Sequence, residues 1–323
     1  MDKEEKKTHW ADEKEVVKTN TPLKFTLLLV KHIPSWLLRL FIYPVGFFFF
    51  LFSARSRSEA HLYQKQLRTF TKGDSPRLLN SCHQIVSFAF CVVEKMEGWL
   101  GKFKFQNVEY QNDDIDNILA DLREGKGVFI FTSHLGNMEL LRSLSENNRQ
   151  LVGRDVPVWV VMDTKVTTQF SSTLSSINEK VDFNIVDASS IGPDSMVTFM
   201  DAVENGGMVV IAGDRTSANN RDKIIKQSFL GKEAPFPYGS FLIPFLLKVP
   251  VYYLFAFRKH TSLCAPKYEF YIEKSQIDFN CGRAKREENI KACCAEYAGK
   301  LEKFCAMYPY QWYNFFNFWN MEL

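Results

Sequence analysis

Short runs rich in Val, Ile, Phe and Tyr alternate with helix-like segments through the second half of the chain, and this alternation restricts the fold more than any other feature. Such runs are typical of buried β-strands, and six are predicted, at 127–133, 156–162, 183–186, 207–212, 249–257 and 267–274. The connections near 137–147, 167–180 and 194–205 have helical spacing. Strand–helix–strand units favour parallel neighbours with right-handed crossovers, so we expect an α/β fold with a mostly parallel central sheet flanked by helices.

The N-terminal region differs from this pattern in charge and in apolar content. Residues 16–58 include no acidic residue but six basic ones, and within them 40–52 is a mostly apolar run that contains Pro44 and Gly46. Because a membrane-spanning helix needs about 20 apolar residues, this run is short for a full span. We expect an interfacial or re-entrant hairpin on an anionic membrane surface, with 23–30 as its first arm. The alternative is a buried core helix of a soluble protein.

These patterns divide the chain into three parts. We expect a solvated tail at 1–22, a membrane-associated segment at 23–58 and an α/β domain at 59–323. Within that domain, apolar residues at helical spacing over 59–105 predict two helices, with a break near residues 73–76. These helices are expected to cover the sheet that 106–323 forms.

Composition limits the class of protein and its partners. A chain with 46% hydrophobic and 24% charged residues can bury a core, which excludes a disordered or fibrous protein. A formal net charge of +3 does not indicate a nucleic-acid partner. The seven cysteines lack a CxxC pair and zinc spacing, so we expect reduced thiols in a cytosolic environment and no metal ion.

A histidine and a carboxylate flank the junction between the first predicted strand and the following helix. His134 lies at the strand end, and Gly136 and Asn137 can form the turn and helix cap that return Glu139 towards it. A neutral imidazole can take a proton from a hydroxyl when a carboxylate holds its other nitrogen. We therefore predict that His134 and Glu139 form a general-base pair; the alternative is a structural histidine.

A second polar cluster follows the strand predicted at 207–212. Asp214 and Arg215 emerge there, and they lie beside His134 if the two strands are neighbours. Arg215 is suited to hold a phosphate or to polarise a carbonyl, with Asp214 orienting it. A surface ion pair in a turn is the alternative interpretation.

Two later segments are expected to shape the binding surface. Phe229 and Gly231 begin a stretch whose Pro235–Gly239 part is predicted to form a loop that lines an acyl slot. Residues 308–319 include eight aromatics, so they should be docked on the core or in the membrane interface. The chain has no G-x-S-x-G motif and no catalytic-cysteine signature, which favours direct attack on an activated acyl group over a covalent acyl-enzyme.

Taken in order, these blocks resemble the bacterial lipid A lauroyl/myristoyl acyltransferase family, part of the lysophospholipid acyltransferase superfamily. The matching features are the H-x4-[DE] block at 134–139, the Gly-Asp-Arg block at 213–215, the 229–237 stretch and the Pro309…Gln311-Trp312 tail. The resemblance implies transfer of a fatty acyl chain from an acyl carrier protein or CoA thioester to a hydroxyl of a lipid A-like or other membrane glycolipid. It places this reaction at the cytoplasmic face of the bacterial inner membrane, with no cofactor beyond the acyl donor.

The resemblance also implies roles for particular residues. His134 corresponds to the general base and Glu139 to its orienting partner, with Asn137, Asp214, Arg215, Phe229 and Gly231 as the expected substrate-binding set. The tail is aromatic where lipid A enzymes usually place basic residues, and the Asp-Arg block is closer to a branch associated with aryl-polyene-type lipids. Two alternatives remain open: acylation of a lysophospholipid or aminolipid by the same pair, and a non-catalytic membrane protein that binds lipid or a carrier protein.

Overall fold

The computed structural model describes residues 21–73, 80–100, 102, 107–111, 114–138, 140, 151–162, 183–216, 222–260 and 266–319. Within these ranges the helices are α1 (Thr21–His32), α2 (Ser35–Phe52), α3 (Ala54–Phe70), α4 (Ser81–Trp99), α5 (Asp114–Arg123), α6 (Pro193–Glu204), α7 (Tyr238–Leu247) and α8 (Arg283–Met307). The strands are β1 (Val108–Tyr110), β2 (Val128–Thr132), β3 (Val158–Met162), β4 (Phe183–Asp187), β5 (Met208–Ala212), β6 (Ile224–Phe229), β7 (Lys232–Pro237), β8 (Val251–His260) and β9 (Lys267–Lys274).

Seven strands form one mixed sheet in the order β1-β9-β8-β2-β5-β3-β4. Only the β8–β9 pair is antiparallel, so the expected α/β class with a mostly parallel sheet is confirmed. Each of the six predicted strands is present within a few residues of its predicted bounds. The helix predicted at 194–205 is α6, whereas those predicted near 137–147 and 167–180 lie outside the described residues.

Strand β2 lies in the middle of the sheet and is buried along its whole length. A parallel strand covered on both faces has no solvent side, which explains its continuous apolar run. Its side chains alternate between two core layers, with Phe129 and Phe131 on one face and Val128 and Ile130 on the other. Helix α8 packs into the first layer and α5 into the second, so the sheet is covered on both sides.

The two helices expected before the sheet are present as α3 and α4. Asn80 caps α4, because its side chain accepts a hydrogen bond from the backbone N–H of His83. Farther along α4, the buried Glu94 carboxylate pairs with the Arg258 guanidinium of β8 at 3.0 Å. This ion pair fixes α4 to the sheet.

Helix α2 is held lengthwise against α4, with the two helices antiparallel. Arg39 pairs with Glu97 near one end, where both side chains are buried. One and a half to two turns along α2, Gly46 lies against Val86, and a Cβ on Gly46 would come within 3.0 Å of the valine side chain. The helix runs through Pro44 without interruption over 18 residues. One face of α2 is thus packed against α4, and the charge of Arg39 is balanced by Glu97.

The opposite face of α2 is apolar and exposed. Among the described residues, α2 is the one helix long and apolar enough to cross a membrane by length and composition. The exposed side chains on it are Trp36, Leu40, Phe41, Tyr43, Val45, Phe47, Phe48, Phe49, Leu51 and Phe52. An apolar surface of this extent is unusual on a soluble monomer, and it fits an N-terminal membrane segment.

The stretch predicted as a loop at 235–239 is partly a strand, so that prediction is wrong. Residues 235–237 belong to β7, which pairs with β6 in a separate two-stranded hairpin. The hairpin closes at Leu230 and Gly231, whose φ angles of 50° and 79° are typical of a tight two-residue turn. Prolines are tolerated in β7 because each strand of a two-stranded hairpin has an unpaired edge.

The cysteines in the described residues are free thiols, as the sequence predicts. Three of them lie on the buried side of α8, in the core: Cys293, Cys294 and Cys305. Burial raises the pKa of the Cys293 thiol to about 12, so this thiol stays protonated at neutral pH. These cysteines therefore pack as small apolar side chains.

The Glu94–Arg258 pair yields a test of what joins α4 to the sheet. In Arg258→Met the Glu94 carboxylate stays buried without its cation, and we expect the free energy of unfolding to fall by about 3–5 kcal/mol. The double variant Glu94→Gln/Arg258→Met should recover much of this loss. Lys226→Met, which removes one partner of the exposed Lys226–Glu233 pair, is the matched control and should change little. Equal losses in Arg258→Met and Lys226→Met on chemical unfolding would contradict the assignment.

Candidate active site

The carboxyl ends of two neighbouring parallel strands bring the candidate residues together. Thr132 of β2 is in register with Ala212 of β5, and the N–H of Gly213 donates to the carbonyl of Thr132 at 3.1 Å. Residues two positions beyond each strand therefore leave the sheet side by side. The strands at 127–133 and 207–212 are therefore neighbours, which is the condition under which the sequence places Asp214 and Arg215 beside His134.

These two positions are His134 and Asp214, and they are in direct contact. The Nδ1 atom of His134 lies 2.8 Å from Oδ1 of Asp214, and the backbone N–H of His134 donates to Oδ2 at 2.9 Å. Trp312 Nε1 lies 3.5 Å from the same Oδ2. The Asp214 side chain is fully buried, whereas that of His134 is 29% exposed. The carboxylate is thus enclosed, and the imidazole keeps an accessible portion.

The turn after His134 is fixed on both sides by backbone hydrogen bonds. Gly136 N–H donates to the carbonyl of Gln311, and Asn137 N–H donates to the carbonyl of Ala256 on β8, both at 2.8 Å. Gly136 has a φ of +83°, and a Cβ at this position would lie 2.1 Å from the Ala256 oxygen. Glycine is therefore required for this turn to sit against β8.

The aromatic C-terminal segment is docked on the core, and it also supports the site. Leu135 forms an isolated antiparallel bridge with Trp312, and the N–H of Tyr313 donates to the carbonyl of His134 at 3.2 Å. The buried Trp312 ring packs edge-on against Phe229, with centroids 5.2 Å apart. The aromatic segment at 308–319, which the sequence predicts to be docked, thus contacts the backbone on which His134 lies.

Arg215 is anchored by the same segment. Its Nε and Nη2 donate to Oδ1 of Asn314 at 3.1 and 2.9 Å, and Nη2 also donates to the carbonyl of Tyr313 at 3.2 Å. Its guanidinium carbon lies 5.5 Å from the centroid of the Phe316 ring. This half-buried guanidinium is therefore held at a fixed place, unlike a solvated cation in a surface turn.

The charges around His134 keep its imidazole neutral. Burial and the Arg215 guanidinium lower the pKa of His134, and the Asp214 carboxylate offsets only part of this effect. Burial acts to raise the pKa of Asp214, but the charges of His134 and Arg215 and the hydrogen bonds from His134 bring it below its usual value. At neutral pH we therefore assign an ionised Asp214 and a neutral His134 that donates from Nδ1. Nε2 is then the atom that can accept a proton.

The carboxylate on His134 differs from the one that the sequence favours. Glu139, the predicted partner, lies outside the described residues, and its role stays a prediction. Asp214, predicted to orient Arg215, instead contacts the imidazole. The signal that points to it is its position two residues beyond β5, the counterpart of His134 two residues beyond β2.

The other predicted substrate-binding residues are distributed around this pair. Asn137 is buried in the turn after His134, and Phe229 is fully buried among aromatic rings. Gly231 lies at the hairpin tip, where a Cβ would lie 3.9 Å from the Phe70 ring. The structure gives Phe229 a place in the core, and the predicted contacts of all three with substrate stay predictions.

The chain matches no protein-family model, and a search of curated proteins returns no match. The functional argument therefore depends on the contacts of His134, Asp214 and Arg215 themselves.

The electrostatics of the pair can be tested on His134 directly. The pKa of its imidazole should lie below 6.5 in the unaltered protein, fall further in Asp214→Asn and rise in Arg215→Gln, because these substitutions remove a negative and a positive neighbour. Nuclear magnetic resonance of ring-labelled histidine measures it, with His134→Gln to assign the signal among the six histidines. The same pKa in both variants as in the unaltered protein would show that neither charge acts on the ring.

Proposed function

We propose that this protein is a membrane-associated acyltransferase that moves a fatty acyl chain from an acyl-carrier-protein or CoA thioester to a hydroxyl of a lipid A-like or other membrane glycolipid. The observation that carries the proposal is the contact between a neutral, partly exposed His134 and a fully buried Asp214. The pair stands where parallel strands end, the usual place for a site in such sheets. The sequence blocks that resemble lipid A acyltransferases support the choice of substrates.

The proposed reaction needs one base and no covalent enzyme intermediate. Nε2 of His134 takes the proton of the acceptor hydroxyl while the hydroxyl oxygen attacks the thioester carbonyl carbon. The tetrahedral intermediate collapses by breaking the carbon–sulfur bond, and the departing thiolate takes the proton from the imidazolium. The products are an ester and a free thiol. Asp214 fixes the tautomer of His134 and stabilises the imidazolium while it exists.

We propose that Arg215 assists this step electrostatically. The former carbonyl oxygen carries a negative charge in the tetrahedral intermediate, and a nearby fixed cation stabilises that charge. Asn314 and the Tyr313 carbonyl hold the guanidinium before substrate arrives. Little reorganisation is then required when the charge develops.

The environment of the pair favours a catalytic over a structural histidine. Burying a carboxylate completely has a large desolvation cost, which here is offset through a ring that remains partly exposed. A general base must be unprotonated at working pH, and the lowered pKa of His134 meets this requirement. Perturbed groups in such a setting are typical of functional sites.

We propose that α2 enters one leaflet of the membrane along its exposed face. Helix α4 is packed against α2 and carries the buried carboxylates Glu94 and Glu97, each paired with an arginine. If α2 crossed the bilayer, α4 and these charges would be drawn into the hydrocarbon with it, at a considerable cost. Lateral immersion of α2 avoids this cost and keeps the site on the cytoplasmic face of the inner membrane.

The base is tested by His134→Ala in purified protein. Transfer should be lost, while circular dichroism shows a folded chain. His61→Ala, on the exposed side of α3, is the matched control and should keep full activity. In the unaltered protein kcat/KM should decline at a lower pH than an ordinary histidine would produce, because the pKa of His134 is lowered. Substantial transfer by His134→Ala would eliminate the proposed base.

The mode of membrane contact has its own test. Phe48 and Phe52 are 64% and 72% exposed on α2, and the double variant Phe48→Ser/Phe52→Ser should bind vesicles that contain anionic lipid more weakly than the unaltered protein. Val197→Ser removes a comparably exposed apolar side chain from α6 and should bind normally. Co-flotation with vesicles measures binding. Undiminished flotation of the double variant would contradict the assigned face.

A further inference from the structure

One face of α4 lies against the candidate active site. Gln84, Phe88, Cys91 and Lys95 are spaced by four, three and four residues, so they share one side of this helix. This side is distinct from the one that carries Glu97 to α2. The contacts of Gln84 and Cys91 show which part of the site this face lies against.

Each of these contacts is with a segment that builds the site. Gln84 Nε2 donates to the carbonyl of Trp312 at 2.7 Å. Two turns along, the Cys91 thiol lies 4.0 Å from the carbonyl oxygen of Gly136, in the turn that follows His134. Lys95 is one turn beyond Cys91 on the same face. Lys95 therefore lies on the face of α4 that contacts the His134 turn.

Lys95 is half-buried, and its charge is uncompensated within the described residues. No hydrogen bond or ion pair joins it to any of them, and the neighbouring carboxylates Glu94 and Glu97 are each paired with a buried arginine. Its positive charge reaches His134, where it adds to that of Arg215 in lowering the pKa of the imidazole. Among the described charged groups that act on the imidazole, Arg215 and Lys95 are positive and Asp214 is negative.

We propose that Lys95 is the binding group for a phosphate ester of a substrate held beside His134. A lysine ammonium is a point-charge partner for phosphate, and a cation left partly buried without a counter-ion gains most from such a ligand. The assignment deepens the proposed function, on which its role in the reaction rests. Such a phosphate has two possible sources, the headgroup of the acceptor lipid and the phosphopantetheine arm of the donor thioester.

Phosphate binding at Lys95 would also prepare the base. A dianion or monoanion next to the ammonium group cancels the field that Lys95 exerts on His134. The imidazole then becomes a stronger base when the substrate is in place. Phosphate binding at Lys95 and proton abstraction by His134 are then coupled through the charge of Lys95.

The test uses inorganic phosphate as the probe and the His134 ring signals as the readout, so it does not require turnover. In the unaltered full-length protein, phosphate should shift these signals saturably. In Lys95→Gln the affinity should fall about tenfold or more, because a charge-assisted hydrogen bond is lost. Lys95→Arg should retain binding. Lys65→Gln, which removes one positive charge from the exposed side of α3, should bind as the unaltered protein does.

Kinetics identifies the source of the phosphate. A higher KM in Lys95→Gln for the acceptor alone assigns the lipid headgroup, and a higher KM for the donor alone assigns the thioester carrier. An unchanged phosphate affinity in Lys95→Gln overturns the site, and an unchanged KM for both substrates overturns its part in the reaction. If phosphate binds through Lys95 but no acyl transfer is found, the site stands and the proposed function fails.

Discussion

A carboxylate with no exposed surface must have its charge satisfied from within the protein, and Asp214 is such a carboxylate. His134 meets this requirement twice, with its backbone N–H and with its ring. The position of both residues is in turn fixed by the register between β2 and β5. The geometry of the site is therefore a direct consequence of how two central strands are paired.

Helix α4 joins the three surfaces on which the proposed function depends. One of its sides holds α2 and its exposed apolar face, another pairs with Arg258 of the sheet, and a third runs past the His134 turn. A helix used in this way keeps the site at a set distance from the exposed apolar face of α2. The buried ion pairs limit how far these parts can shift relative to each other.

Local sequence patterns predict the parts of this fold that local interactions determine. Strand β2 is predicted by its apolar run, which also places His134 at the end of the strand. Helices α3 and α4 are predicted by the helical spacing of their apolar residues. The order of the strands in the sheet is set by packing between distant segments, so the contact between His134 and Asp214 is not visible in the spacing of residues. Local spacing points to Glu139, whose part in the site stays a prediction, and it gives no direct sign of the contact with Asp214.

The same limit explains other differences. The buried pairing of Arg39 also depends on a distant contact, because its partner Glu97 lies 58 positions away on α4. Pro235 and Pro237 suggested a loop because prolines interrupt central strands, whereas a two-stranded hairpin accommodates them. In each case the deciding contact joins residues that are far apart in sequence or depends on which strand edge is free.

Mass spectrometry of the lipids of cells that make the unaltered protein, Asp214→Asn or no protein tests the central claim most directly. Cells with the unaltered protein should contain one lipid that is heavier by a single acyl chain, and this heavier lipid should be missing from the other two. A lipid profile in Asp214→Asn cells that matches the unaltered protein would contradict it, because the buried carboxylate would then have no part in catalysis.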